Sequence, residues 1–321
     1  MSAPSGVQAG ANAVGAFAPA KVNLALRLLA RRADGYHELD TWMLALAWGD
    51  TLILRRRPEP GLSLSVHGRF ASADIPADAR NLAWRAVELV LARARPQHGI
   101  AIELEKAVPS QAGLGAGSAD AAAAWLGAER LLGLKSPPAL AQAELATLGS
   151  DCVFFALAQE SGLAHCTGRG DEVAEEPLLD EKRRTARHVA ILVPTVACPT
   201  GAVYRAVAQL SPGPVPRRSA SDWFERPLPE LRAALANDLE AAALAAVPEL
   251  VPWRAALDQS AAAHWRLSGS GSAFFTLHES RAVAEEELAR LVAELAARGL
   301  VPRAATVTRP QGAGARTWTV S

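Results

Sequence analysis

Cysteine is scarce in this chain. The three present among 321 residues, Cys152, Cys166 and Cys198, are an odd number with no C-x-x-C spacing, which argues against both a disulfide framework and a zinc site. A reducing, cytoplasmic setting is the simplest expectation. Excess charge is missing as well: the formal net charge is zero and there is no long basic run, so neither nucleic acid nor an anionic membrane is implied as a partner. Long apolar runs are absent. The alanine-rich stretches Ala121–Ala124 and Ala241–Ala246 are broken by charge or proline well short of a membrane span. Residues 1–16 are small and polar, with no basic segment leading into an apolar block. They are expected to form a disordered tail rather than a signal peptide.

Several catalytic signatures are missing too. No G-x-S-x-G marks a nucleophile elbow, and His37, His67, His98, His165, His188, His264 and His278 are too scattered for a metal cluster. No Lys-Ser/Thr pair closes a Walker loop, and no G-x-G-x-x-G opens a dinucleotide fold.

What is present is half hydrophobic and long enough for two domains. Alternation marks strands at Val22–Leu28, Glu38–Trp48, Asp50–Arg57, Leu62–His67 and Gly99–Lys106. Asn81–Arg95 reads as an amphipathic helix, and the alanine-rich run Ala121–Leu132 as a helix that opens at Ser118. A third helix runs from Pro137-Pro138 to about Leu148-Gly149, and Ser150-Asp151 are expected to cap a fourth, Cys152–Ala158. A five-strand, mostly antiparallel layer with helices on one side follows. Ser161–Glu172 alternates around a Gly-Arg-Gly-Asp turn, and the charged connector Val173–Arg187 places the boundary between domains at 17–185 and 186–321. The second half predicts a strand at His188–Pro194, a helix capped by Thr200 and running through Leu210, and a proline-rich loop at Ser211–Arg218. Helices at Leu228–Ala246 and Glu249–Ala262, a strand at Ala273–Leu277, a helix at Ser280–Arg298 and a closing strand at Ala304–Arg309 complete it. That alternation suggests a split β-α-β sandwich, so the class is α+β.

The stretch Pro109–Asp120, P-S-Q-A-G-L-G-A-G-S-A-D, joins a strand to a helix through Gly113, Gly115 and Gly117. Glycines allow positive φ and close approach of a ligand, and the helix start aims free N–H groups and a positive dipole end into the same space. A phosphate chain suits such a place, although a plain flexible connection would need no more than these residues. Lys21 stands in an otherwise apolar strand, either as an edge gatekeeper or as a functional cation. Asp151 is pressed against Cys152-Val-Phe-Phe, as a helix cap or as a catalytic carboxylate.

P-A-K-V-N-L at Pro19–Leu24, R-A-D-G-Y-H at Arg32–His37, A-G-L-G-A-G-S at Ala112–Ser118, L-G-S-D-C-V-F-F at Leu148–Phe155 and L-S-G-S-G-S at Leu267–Ser272 occur in one order. In that order they resemble the GHMP kinases. Within that superfamily, P-A-K-x-N-L with D-G-Y-H is similar to the branch acting on 4-diphosphocytidyl-2-C-methyl-D-erythritol. The resemblance, from about Phe17 onward, implies a two-domain GHMP kinase fold: a ribosomal-protein-S5-domain-2-like N-terminal domain and a ferredoxin-like C-terminal domain. It implies transfer of a phosphoryl group from ATP, with Mg²⁺, to the C2 hydroxyl of that acceptor in the non-mevalonate isoprenoid pathway, by a cytoplasmic monomer or homodimer.

By the same resemblance Asp151 is the catalytic base, with Lys21 beside it to supply opposite charge. Pro109, Ala112, Gly113, Leu114, Gly115, Ala116, Gly117 and Ser118 hold ATP, and Ser118 is also a candidate Mg²⁺ contact. The acceptor falls to Asn23, Tyr36, His37, Thr200, Tyr204, Ser268, Gly269, Ser270 and Gly271. Tyr36 and Tyr204 are the only two tyrosines in the chain, and both fall where the resemblance implies aromatic rings flanking cytosine. On the residues alone, Tyr36 would be a surface ring, Tyr204 a helix core residue, Thr200 a cap and Ser268–Ser272 a plain strand connection. Ser110-Gln111-Ala112, Ala116 and Ala119 depart from the glycines and second serine common in that branch, and Ser150 and Cys152 are small residues flanking Asp151. A homoserine- or mevalonate-type kinase, and a catalytically silent relative that binds nucleotide or a protein partner, are the alternatives.

Overall fold

The computed structural model describes residues 12–33, 35–176, 187–207, 223–260 and 264–320. Its organising pair is β1 (Ala13–Arg31) against β2 (His37–Arg57), antiparallel along most of their length. β1 is buried almost continuously from Ala13 to Leu24, the pattern of a strand covered on both faces. It begins earlier than expected. Residues 13–16, assigned above to a tail, pair with β2 and with β12 (Arg316–Thr319), while 1–11 lie outside the described residues. β2 is one strand where two were expected, because Gly49 is no turn. It is a site of close approach, where a Cβ would overlap the Ala18 carbonyl oxygen and sit 2.8 Å from Pro19 Cα.

The sheet has eight strands rather than five. Its spine runs β12-β1-β2-β4-β3, with β3 (Leu62–His67) parallel to β4 (Gly99–Glu105). β5 (Leu163–Thr167) pairs with β2 and with β6 (Glu172–Glu175), and β8 (Ala236–Asn237) lies parallel to β1. The extra strands are short, and apart from the local β5–β6 hairpin their partners are remote in sequence. One face of this sheet carries α1 (Leu82–Ala94), α2 (Ala116–Leu132), α3 (Pro138–Ala146) and α4 (Ser150–Leu157). Ala121–Ala124 of α2 are wholly buried, so the alanine run is the means by which α2 lies close between its neighbours.

The other face shares a core with a second sheet. Ala20, Val22, Leu24, Leu44 and Leu46 cluster with Val189, Ile191 and Val193 of β7 (His188–Val193) and with Phe275 and Leu277 of β10 (Phe274–His278). The alternate residues Ala190, Leu192 and Phe274 turn the opposite way, as period-two geometry requires. They join α5 (Thr200–Val207), α7 (Glu240–Ala246), α8 (Val251–Gln259) and α9 (Arg281–Ala297). This sheet is antiparallel, in the order β11-β7-β10-β9, with β9 at Arg266–Leu267 and β11 at Ala304–Thr308.

Three further expectations are corrected in this half. The helix expected over Leu228–Ala246 is broken into α6 (Leu228–Ala234), β8 and α7. The Asn237 side chain donates to the carbonyls of Leu267 and Gly269, and Asp238 accepts from Arg27 and from the Leu28 amide, contacts a continuous helix could not offer. Nor does the strand near 304–309 close the chain, since β12 returns to the edge of the first sheet. The expected helix to Ala262 becomes a 3-10 turn at Pro248–Leu250 followed by α8. The connector at 177–186, the helix end at Leu210, the Ser211–Arg218 loop and residues 261–263 lie outside the described residues.

Gly49→Ala is expected to force β1 and β2 apart and to cost about 1–3 kcal/mol, the range for overpacking a filled interior. An unchanged urea midpoint would show that the strands have room to spare.

Candidate active site

Lys21 and Asn23 are two residues apart on β1, so both side chains leave the same face. The Lys21 backbone N–H donates to the Leu114 carbonyl at 2.9 Å, which seats the strand against the glycine loop. Its side chain is buried. Nζ donates to Asn23 Oδ1 at 2.6 Å and lies 3.3 Å from Asp151 Oδ2. Asn23 Nδ2 in turn donates to Thr41 Oγ1 at 2.9 Å, and that hydroxyl donates to the Ala25 carbonyl at 2.7 Å. The ammonium is thereby held facing a carboxylate that keeps 29% exposure. Neither Ser150 nor Asp151 caps α4 as expected: Gly149 occupies the cap without a side-chain bond, and Asp151 falls in the first turn. There the helix dipole favours its negative charge.

The glycine loop differs in the same way. α2 starts at Ala116 with Gly115 as its cap, two residues before the expected Ser118. Gly113 (φ 73°) and Gly115 (φ 69°) are left-handed, a conformation that disfavours any side chain. A Cβ on Gly113 would also overlap the Ser268 carbonyl, and one on Gly115 would come within 3.0 Å of the Phe155 ring and 3.1 Å of Lys21 Cγ. Gly117 is unlike them. Its nearest neighbour would be Leu82 at 3.8 Å, so the space above it belongs to the cleft. The Ser268–Ser272 loop buttresses this wall: Ser268 Oγ donates to the Gly113 carbonyl at 2.9 Å, and the Ala273 amide to that of Ala112 at 2.9 Å. Thr200 is the first residue of α5 rather than the one before it, and its hydroxyl lies 3.0 Å from Ser270 Oγ.

Beneath the loop lies a buried charge cluster that the sequence did not reveal. Lys106 Nζ donates to Asp50 Oδ2 and, at 2.6 Å, to Asp120 Oδ2. Asp50 Oδ1 also accepts from the Ala107 and Val108 amides, at 2.6 and 2.8 Å. One end of the loop is thus tied to β2, and the helix at its other end to the same ammonium. Burial would lower the Lys106 pKa, but Asp120 and Asp50 outweigh it and raise the value. Burial pushes the Asp120 carboxyl up to about 8 against the pull of Lys106, so one proton stays with the cluster at neutral pH. A carboxylate set directly before the run Ala121–Ala124 was the available signal.

A cleft of about 830 Å³ opens over these elements. It gathers Lys21, Asn23, Tyr36, His37, Ala112, Gly113, Gly115, Ala116, Gly117, Ser118, Asp151, Thr200, Tyr204, Gly269 and Ser270 on its walls. Pro109, Leu114, Ser268 and Gly271 are buried behind them. His37 and Tyr204 place their rings 6.2 Å apart on the wall of this cleft. Sequence reasoning missed Arg31, Arg169 and Arg205, which also line the cleft; of these only Arg169 carried a signal, the Gly-Arg-Gly-Asp turn. Among the described residues no helix is long and apolar enough to cross a membrane.

The chain matches the family model for the GHMP kinases N terminal domain over residues 81–162 and that for GHMP kinases C terminal over residues 219–297. Fold and cleft together define a GHMP kinase, an ATP-dependent small-molecule phosphotransferase. The chain is 32% identical over 282 residues to the 4-diphosphocytidyl-2-C-methyl-D-erythritol kinase of Chlorobaculum parvum, covering 83% of this chain and 90% of that one. To the protein of the same name from Synechococcus sp. it is 35% identical over 272 residues, covering 82% and 84%. A solved structure of 4-(cytidine 5'-diphospho)-2C-methyl-D-erythritol kinase aligns with a TM-score of 0.71 and 31% identity over 92% of this chain and 100% of that one. A homoserine kinase from Cytophaga hutchinsonii shares the fold alone, with a TM-score of 0.68 at 17% identity over 98% and 100%. The chain belongs to the family of 4-diphosphocytidyl-2-C-methyl-D-erythritol kinases.

Because the folded chain keeps a proton on Asp120 that the unfolded chain releases near 3.8, this linkage favours the fold fully below about pH 4 and is lost as pH rises toward 8. The stability difference between wild type and Asp120→Asn should therefore shift against wild type from pH 5 to pH 8 in paired urea titrations. A difference that stays constant across that window would remove Asp120 as the titrating group.

Proposed function

We propose that this enzyme transfers the γ-phosphoryl group of ATP to the C2 hydroxyl of 4-diphosphocytidyl-2-C-methyl-D-erythritol, giving the 2-phosphate and ADP in the non-mevalonate isoprenoid pathway. The observation that carries this is the Lys21–Asp151 pair, 3.3 Å apart, set in a cleft between a glycine loop and the Tyr36, His37 and Tyr204 rings. Asp151 accepts the proton of the acceptor hydroxyl as that oxygen bonds to the γ-phosphorus. The bond from phosphorus to the bridging oxygen breaks, and its electron pair leaves with ADP. Lys21, held by Asn23, steadies the negative charge on the transferred group.

The donor sits along the loop, where free amides at the start of α2 face the phosphates. Gly117 leaves that approach open. Among the described residues no three His, Cys, Asp or Glu side chains form a metal cage. A single hydroxyl, Ser118, therefore fits a Mg²⁺ carried mainly by the nucleotide phosphates and water. Bound there, Mg²⁺ would neutralise phosphate charge. At the far end His37 hydrogen-bonds the cytosine, Tyr36 and Tyr204 offer it ring faces, and Asn23, Thr200 and the Ser268–Gly271 loop meet the methylerythritol. The enzyme acts in the cytoplasm, as a monomer or homodimer, on small molecules and without a nucleic-acid partner. Zero net charge is the support for the last point.

An ADP-release assay with the cytidyl acceptor, homoserine and mevalonate is expected to show turnover of the first alone. Turnover of either other alcohol in its place would overturn the acceptor. Asp151→Asn should fold normally and lose turnover on the order of 10²-fold or more; near-wild-type rates would remove it as base. Gly117→Ala should gain helix stability by about 0.5–1 kcal/mol while weakening ATP, seen as a higher KM for ATP with a higher Tm. An unchanged KM would mean that the nucleotide does not pass over Gly117.

A further inference from the structure

Tyr36 is 59% exposed and lies just before β2, a position in which a ring would ordinarily change rotamer freely. Here it is covered. The Arg169 guanidinium carbon lies 5.5 Å from the centre of the Tyr36 ring, within reach of a cation–π contact. Arg169 is itself fixed: Nε and Nη2 both donate to Asp171 Oδ2, at 3.2 and 2.7 Å, and its backbone N–H donates to Asp171 Oδ1 at 3.0 Å. The Asp171 carbonyl accepts from Gln142 Nε2 at 3.0 Å. The whole turn is seated on the first residues of β2, since the Gly168 amide donates to Glu38 Oε1 at 3.0 Å and the Leu39 amide to the Gly168 carbonyl at 2.8 Å. Gly168 (φ 68°) and Gly170 (φ 93°) supply the backbone such a tight turn requires.

We propose that Arg169 is a positioning residue for the acceptor end of the cleft, holding the Tyr36 ring as the outer wall against which a planar base stacks. The proposal rests on the acceptor assigned above. Asp171 offsets the charge of Arg169, so its contribution is the flat, oriented face of the guanidinium rather than attraction for phosphate. Arg169 also lines the cleft beside Gly170, so the wall it makes with Tyr36 is continuous. His37 and Tyr204 stand together 6.2 Å apart on the same cleft. A base lying among these rings is selected by its shape, and an acceptor without one gains nothing from Arg169.

The test is a double-mutant cycle in the ADP-release assay. Arg169→Ala should raise KM for the cytidyl acceptor about fivefold, the scale of one partly exposed cation–π contact, while kcat and the KM for ATP stay put. Arg169→Lys should recover part of the loss. In a Tyr36→Ala background, Arg169→Ala should add nothing, because there is no ring left to hold. An unchanged acceptor KM, an equal rise in the KM for ATP, or full additivity with Tyr36→Ala would each overturn the role given to Arg169. If wild type turns over the acceptor and one of those results appears, only Arg169 is reassigned. A wild type inert toward the acceptor overturns the acceptor assignment and this inference with it.

Discussion

The buried ammonium of Lys106 is the contact on which the catalytic cleft depends. A charge removed from water is tolerated only when paired and hydrogen-bonded, and Lys106 meets that condition by binding Asp50 and Asp120 together. Asp50 belongs to the long central strand and Asp120 to the helix that follows the glycine loop. Satisfying one cation therefore fixes strand, loop and helix in one arrangement. Asp50 also takes the two amides that lead into the loop, so the loop is held at its base while its tip keeps the open backbone that a phosphate needs.

Charge in the cleft is distributed to match. Among the described residues, Asp151 is the single acidic side chain on a wall that includes Lys21, Arg31, His37, Arg169 and Arg205. The protein is net-neutral, yet Lys21, Arg31 and Arg205 stand on one cleft with Arg169, whose charge Asp171 offsets, and Asp151 is the carboxylate proposed above to take the acceptor's proton. The near-contact of Lys21 with Asp151 joins the first sheet to its helix layer. β1 supplies the cation, α4 the carboxylate, and the Ser268–Ser272 loop from the second sheet closes the glycine wall from behind.

Much of this was legible in the order of residues. The strand, glycine loop and helix around Pro109–Asp120 were read correctly in kind, and Lys21, Asp151, Tyr36 and His37 were singled out as they stand in the cleft. The errors were of reach. Gly49 looked like a turn because a glycine's neighbours in space cannot be read from its neighbours in sequence. β8 and β12 were missed because strands of two and four residues carry almost no periodic signal. Their existence depends on β1 being there to receive them. Asp120 looked like an ordinary helix residue, and Arg169 like part of a turn, until folding set each against its partner.

The sequence by itself determined the α+β class and the parts, a glycine loop, a lysine, a carboxylate and two tyrosines, whose order carried the resemblance to a kinase family. These are local properties, set by residue type and spacing. Tertiary structure alone decided which of them share a wall, that Lys106 ties both ends of the glycine loop together, and that Arg169 lies against the Tyr36 ring. Those facts join residues 14 to 183 positions apart, and nothing in a chain's local pattern encodes a distance that exists only after the core has closed.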